Sequence, residues 1–211
     1  PWMKNEVDLN SLALYFQHSF VPGKNAIYQN LKKIMPGEIL KIKVKNTTIS
    51  QKKIQYWSSE KNINLSKERV FLGDLNEASL EVEKSLRSSV KKQLVADVPV
   101  GIFLSGGIDS SLISILAQQE SSKNIRTFNI GFDSKEYDES NDAKSLADKL
   151  GANHTSINFS SNEVLTIVGR LPHIYDEPFA DAAQMPTIVL SQLAKKSVSV
   201  VLSGDGGDEL F

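Results

Sequence analysis

From Asn76 to Ala96 the apolar residues Val82, Leu86, Val90 and Leu94 recur every four positions, with Glu77, Glu81 and Glu83 early and Lys91 and Lys92 late. That spacing predicts an amphipathic helix whose charges suit its dipole. Val98 to Leu104 is then a nearly continuous apolar run, the mark of a strand buried on both faces. It enters Ser105-Gly106-Gly107 and a helix over Ser110 to Gln119. The same order recurs: Arg126 to Phe132 before a helix near Glu139 to Leu150, His154 to Phe159 before a helix near Asn162 to Ile174, and a helix from about Met185 to Lys196 before Val198 to Leu202. Strands alternating with helices of this length predict an open α/β domain with a parallel sheet covered on both faces.

The first third of the chain is patterned differently. Leu9 to Phe20 reads as a short helix stopped by Val21-Pro22-Gly23, and Met35-Pro36-Gly37 is a second breaker. After it, Glu38 to Val44 alternates apolar and charged residues, Lys45-Asn46-Thr47 offers a turn, and Ile49 to Trp57 returns. The expectation is a β-hairpin with one face buried. Residues 58–73, rich in Ser, Lys and Asn, read as a linker. No internal repeat or low-complexity segment is evident.

Charge sharpens this division. The net charge is −1, but residues 1–70 carry 12 basic against 5 acidic groups, and the remainder 12 against 20. A boundary near residue 70 follows. Lys41, Lys43, Lys45, Lys52 and Lys53 mostly alternate with apolar residues, as the wet face of strands does, and no aromatic residues interleave them as in a nucleic-acid surface. The acidic α/β part argues against an RNA partner. With no cysteine among the 211 residues, a disulfide scaffold, a zinc-cysteine site and a cysteine nucleophile are excluded within this chain. No run approaches the roughly 20 apolar residues that span a bilayer, and the expectation is a cytoplasmic protein without a membrane partner. A start at Pro1 and a stop at Phe211, just after a glycine-rich acidic motif, suggest a piece of something longer.

Ligands of open α/β sheets bind beyond the carboxyl ends of the strands. The loop after the first apolar strand reads Ser105-Gly106-Gly107-Ile108-Asp109-Ser110-Ser111. Two glycines allow close backbone approach, hydroxyls and amides offer donors, and a helix N-terminus favours an anion. Asp109 would repel a bare polyphosphate, so the cradle calls for a bridging cation, most simply Mg²⁺. The glycine-rich lysine loop of kinase-like NTPases is absent. Val198 to Leu202 feeds a second glycine-rich loop, Ser203-Gly204-Asp205-Gly206-Gly207-Asp208-Glu209, acidic where the first is phosphate-shaped. Its carboxylates suit the other side of a metal, or a cationic group of a substrate.

The first loop matches the S-G-G-x-D-S signature of the PP-loop ATP pyrophosphatases, which the chain resembles from about residue 97 onward. With Asp176-Glu177-Pro178-Phe179-Ala180-Asp181 and the S-G-D-G-G-D-E-L-F string, it resembles the glutamine-dependent asparagine synthetase family. Phe20-Val21-Pro22-Gly23, Met35-Pro36-Gly37-Glu38 and Tyr56-Trp57 resemble the segment closing that family's N-terminal glutaminase domain. The resemblance implies residues 1–57 as the end of a glutaminase domain, 58–75 as linker, and 76–211 as the first part of an adenine nucleotide alpha hydrolase-like (PP-loop) domain.

It further implies ATP and Mg²⁺ as cofactors, and adenylation of aspartate followed by amidation with ammonia from glutamine, releasing AMP and pyrophosphate. Leu104, Ser105, Gly106, Gly107, Asp109 and Ser110 would bind ATP and its pyrophosphate. Ile130 would contact adenine through its backbone, and Ser203 with Gly204 would approach the ribose and α-phosphate. Asp109 and Asp208 would be Mg²⁺ ligands. Asp205 stands where the family has an acidic catalytic residue. The family's glutaminase nucleophile is an N-terminal cysteine, absent from this sequence, and its later catalytic lysine is expected beyond Phe211. The chain alone is therefore expected to be inactive, and a homodimer is compatible with the family. Two rivals stay open: a paralogue that amidates another carboxylate, such as a sugar acid in surface polysaccharide assembly, and an ATP-binding module without turnover.

Other residues have plainer readings. His18, His154 and His173 are too scattered in sequence for a metal site. Phe128 and Phe132 read as core, and Trp57 as packing at a domain interface. Glu177 and Asp181 either line an ammonia or substrate path or cap the next helix. Tyr137-Asp138-Glu139-Ser140 resembles the family's Y-D-E segment, with acids either favoured by a helix N-terminus or serving a substrate loop.

Overall fold

The computed structural model describes residues 6–132, 138–159 and 161–210. The chain forms two compact units. The first comprises residues 1–72 together with 170–181, and the second residues 73–169 and 182–211.

In the first unit, α1 (Leu9–His18) is capped by Asp8, whose Oδ1 accepts the Ser11 N–H at 2.8 Å, and it ends at Ser19 in the left-handed region. The hairpin forms where alternation predicts it, β1 (Glu38–Lys45) pairing antiparallel with β2 (Thr48–Gln55) through a two-residue turn at Asn46 and Thr47. Its expected buried face is absent. Ile42, Val44 and Ile49 are all more than half exposed, because among the described residues no second layer covers the ribbon and a two-stranded sheet has no interior of its own. Residues 59–68, expected within the linker, form helix α2 (Ser59–Glu68), started by the Ser58 side chain and carrying no buried residue. Without an apolar stripe it left no periodic signal. Trp57 is half exposed within this unit.

A strap from the later chain completes the first unit. After α6 (Ser161–Val168) in the second unit, residues 170–181 join the first and include α7 (Leu171–Ile174). One helix over 162–174 was expected; Gly169 and Pro172 interrupt it, the proline lacking an N–H to donate. The Glu177 carboxylate accepts the Ile27 N–H at 2.7 Å and pairs with Lys33 Nζ at 3.0 Å, and Lys33 also donates to the Val21 carbonyl. The Ala180 N–H donates to the Ser19 carbonyl. Glu177 therefore fastens the strap and does not cap the following helix.

The second unit is the predicted α/β domain. Its strands are β3 (Val100–Phe103), β4 (Arg126–Phe132), β5 (Asn153–Phe159) and β6 (Val200–Leu202), and its helices α3 (Leu75–Gln93), α4 (Ile108–Glu120), α5 (Ser140–Leu150), α6 and α8 (Gln184–Ala194). All strand pairs are parallel, in the order β5-β4-β3-β6. β3 starts only after Pro99, which has no N–H for a ladder. Alternate residues of β3 feed two cores. Ile102 packs with Val90 of α3, Leu116 and Ala117 of α4, and Leu202. Leu104 packs with Ala143 and Ala147 of α5 on that same side. Phe103 faces the other way, with Phe128, Ala194 and Val198. The sheet is thus covered on both faces, with Phe128 buried as expected.

Candidate active site

Strand order fixes where a ligand can enter. From β3 the chain steps outward through β4 to β5, then returns to place β6 on the other side of β3. The loops after β3 and β6 therefore leave the same edge of the sheet from neighbouring strands, where the strand order reverses, the place of a crevice at a topological switch point. A cleft of about 500 Å³ lies there, lined by Ser105, Gly107, Asp109 and Ser110 from the first loop and by residues 204–209 from the second.

The first loop is held by its own side chains. The Ser105 N–H donates to Ser110 Oγ at 3.1 Å, the Gly107 N–H donates to Ser105 Oγ at 3.1 Å, and the two hydroxyls lie 2.8 Å apart. The Gly106 N–H donates outside the loop, to Glu139 Oε2 at 2.9 Å. Gly107 is the N-cap of α4 and supplies no side-chain cap. The amides of residues 108–110 belong to the set an α-helix leaves without intrahelical partners. An uncapped helix start beside two serine hydroxyls is a donor set for an anion.

The second loop reaches the first through its glycines. A Cβ on Gly204 would lie 2.6 Å from the Ser110 amide nitrogen, and one on Gly207 would lie 2.5 Å from the Asp109 carboxyl carbon. Gly206, between them, has φ +91°, a conformation that disfavours side chains. Asp205 is oriented by Ser203, whose hydroxyl donates to Asp205 Oδ2 at 3.0 Å.

Asp109, Asp205, Asp208 and Glu209 all line the cleft, and among the described residues no Lys or Arg does. A bare polyphosphate would meet four carboxylates, so an anion enters only with a compensating cation. Among the described residues no three His, Asp or Glu side chains form a ready metal cage. Mg²⁺ is commonly held by one or two carboxylates plus substrate phosphates, and Asp109 and Asp208, one from each loop, fit that donor set.

The residues singled out in the sequence are distributed unevenly. Ser105, Gly107, Asp109, Ser110, Gly204, Asp205 and Asp208 share the cleft. Leu104 is buried behind it, its carbonyl accepting from Asn129 Nδ2 at 2.9 Å. Gly106 turns to Glu139. Ser203 lines an adjoining apolar cleft with Leu86 and Leu112. Ile130 is half-buried on β4 opposite Ile157 and lies outside the cleft lining. Sequence reasoning gave Gly207 no individual role and missed the Glu139 contact. The density of glycine in the second loop signalled the former, whereas the latter joins residues 33 apart. Tyr137 lies outside the described residues.

The asparagine synthase family profile matches residues 81–211. Over 209 residues the chain is 35% identical to a Methanocaldococcus jannaschii protein provisionally named a glutamine-hydrolysing asparagine synthetase, covering 99% of this chain and 39% of that protein. It is 32% identical to the glutamine-hydrolysing asparagine synthetase 1 of Bacillus subtilis, covering 98% of this chain and 31% of that one. The chain thus spans under two-fifths of either relative. Among solved structures, the NH3-dependent NAD synthetase of Campylobacter jejuni has a TM-score of 0.44 at 16% identity, covering 62% of this chain and 58% of that chain.

Proposed function

The chain belongs to the asparagine synthase family, and from that premise we propose that it is the junction and nucleotide half of a cytoplasmic enzyme that converts aspartate to asparagine. In this reading residues 1–57 close a glutaminase domain and residues 76–211 begin the synthetase domain. The observation that carries the reading is the meeting of the two glycine-rich loops at one switch-point cleft, a phosphate-shaped donor set facing carboxylates.

The first loop's hydroxyls and the amides opening α4 hold the β- and γ-phosphates of ATP. Asp109 and Asp208 would hold Mg²⁺, which would supply charge neutralisation of the phosphates. The β-carboxylate oxygen of aspartate forms a bond to the α-phosphorus as the bond from that phosphorus to the α–β bridging oxygen breaks. Pyrophosphate leaves and a β-aspartyl-adenylate remains. Ammonia, released from glutamine in the complete enzyme, then attacks the acyl carbon; AMP departs and a proton is lost to solvent, giving asparagine. Asp205, steadied by Ser203, meets the α-ammonium of the substrate or orders the adenylation step in this reading.

The test is AMP and pyrophosphate release by the full-length protein with ATP, Mg²⁺ and ammonium across aspartate and several sugar acids. Release with aspartate alone, together with asparagine, supports the reading. Release only with another acid moves the acceptor, and ATP binding without release under any acceptor overturns catalysis. Asp109→Ala and Asp208→Ala should each abolish pyrophosphate release.

A further inference from the structure

We propose that Glu139 is a positioning residue of the phosphate loop, holding the Gly106 peptide so that the amides opening α4 stay free for a polyphosphate. This rests on the nucleotide reading above and adds a residue from outside the loop.

Three consecutive loop amides, those of Ser105, Gly106 and Gly107, are satisfied inside the protein. Two are bonded by the loop's own hydroxyls. Only the central one depends on a distant residue, Glu139, at the N-cap of α5 in the connection following β4. The contact is built at backbone level as well as at the carboxylate. A Cβ on Gly106 would lie 3.0 Å from Glu139 Cβ and 3.1 Å from Asp142 Cβ, so a side chain at 106 would push the loop off α5. Glu139 itself is anchored, its carbonyl accepting the Ala143 N–H at 3.1 Å within the first turn of α5. Just before it, Asp138 Oδ1 accepts the Ser140 N–H at 3.1 Å and the Phe132 N–H at 3.4 Å, and the bonds to Ser140 hold the Asp138 carboxyl below the usual range. Asp138 and the start of α5 are therefore tied to the end of β4.

Among the described residues no Lys or Arg pairs with Glu139. Its carboxylate serves the loop amide. If this carboxylate were a stand-in for phosphate, a ligand would have to displace it. The close Cβ packing and the free amides one turn further along instead make it part of the frame. The Gly106 peptide is fixed, and the anion is left to the hydroxyls and the helix start.

The experiment compares wild type, Glu139→Ala and Glu139→Gln in the full-length protein. Calorimetric titration measures affinity for inorganic pyrophosphate with Mg²⁺, and separately for AMP. The alanine variant should lose about fivefold or more in pyrophosphate affinity, the effect of one unmade charge-assisted hydrogen bond at the surface, with AMP affinity within twofold. Glutamine, which still presents an acceptor oxygen, should restore most of the loss. Unchanged pyrophosphate affinity in Glu139→Ala overturns the proposal. So does tighter binding, which would make Glu139 a competitor of the anion, or an equal loss of AMP and pyrophosphate affinity, which would mark general damage. A glutamine variant as weak as alanine would assign the effect to charge and also overturn it. If wild type itself binds neither pyrophosphate nor Mg·ATP, the nucleotide reading fails first and the proposal falls with it.

Discussion

Gly207→Ala separates geometry at the cleft from stability of the fold. Gly207 lies outside the left-handed region, so the obstacle to a side chain there is space and not backbone. The new methyl carbon would stand 2.5 Å from the Asp109 carboxyl carbon and 2.7 Å from each of its oxygens. Reaching an ordinary contact of 3.4 Å requires the carboxylate to retreat by about 0.9 Å. Asp109 can do so by rotating its side chain, so the fold should tolerate the change and the melting temperature should move little. The carboxylate would no longer stand where it lines the cleft together with Asp208. A misplacement of about 1 Å in a positioning group costs roughly a hundredfold in rate. The assay is AMP release by the full-length protein as a function of Mg²⁺, beside a thermal melt. We expect kcat/KM to fall by about two orders of magnitude, with a higher Mg²⁺ requirement and an intact melt. Turnover and Mg²⁺ dependence equal to wild type would refute both the metal assignment and the claim that Gly207 is small for the sake of Asp109. Gly204→Ala is the contrasting case: its methyl meets backbone, 2.6 Å from the Ser110 nitrogen and 2.8 Å from the Asp109 carbonyl carbon, which cannot swing aside. That variant should lose about 1–3 kcal/mol of stability as the two loops are forced apart.

Further predictions address the frame around the site. Gly101→Ala would bring a methyl 2.6 Å from Phe128 Cε2 and 3.1 Å from Val198 Cγ2, and urea unfolding should show a loss of about 1–3 kcal/mol. Asp74→Ala removes one half of the capping box with Glu77 at the start of α3, and should cost about 1 kcal/mol in the same assay. Burial lowers the His154 pKa, with Asp148 opposing and Lys144 assisting. The unfolded state therefore takes up the proton first as pH falls. Stability should be full above the unfolded value of about 6.5 and decline as pH drops through it toward the lower folded value. His154→Gln should flatten that part of the stability–pH curve, and an unchanged slope would assign it to other groups.

How far the sequence spoke depended on whether a feature was local. β4 runs from Arg126 to Phe132 with the bounds its apolar pattern predicted, because turn residues delimit it on both sides. The two glycine-rich loops were legible for the same reason: each follows a buried strand directly, and the switch-point rule then puts both at one edge. The buried face expected for the hairpin was not realised, since alternation in Glu38 to Val44 records a preference for burial without supplying a layer to bury against. Helix α2 escaped notice because its start signal, Ser58, precedes a run whose two apolar residues, Ile63 and Leu65, stand two apart and form no stripe. Glu139 read as an acid at a helix start, which it is; its bond to Gly106 depends on the neighbouring placement of β3 and β4, which a single residue's surroundings in sequence do not encode. Glu177 likewise showed no local sign of its bonds to Ile27 and Lys33.

Those last bonds bear on how the protein is made. Glu177 is 150 residues from Ile27 and 144 from Lys33 along the chain. At about 5–20 residues per second, a ribosome that has just added Lys33 needs roughly 7–30 s to deliver its partner. In that interval β3, β4 and β5 emerge in order and can pair, while the earlier segment waits with Lys33 and the Ile27 amide unmatched. The first unit therefore cannot close until residues 170–181 are made, when most of the second unit has already been synthesised, and the early segment is the one exposed longest to chaperones and proteases.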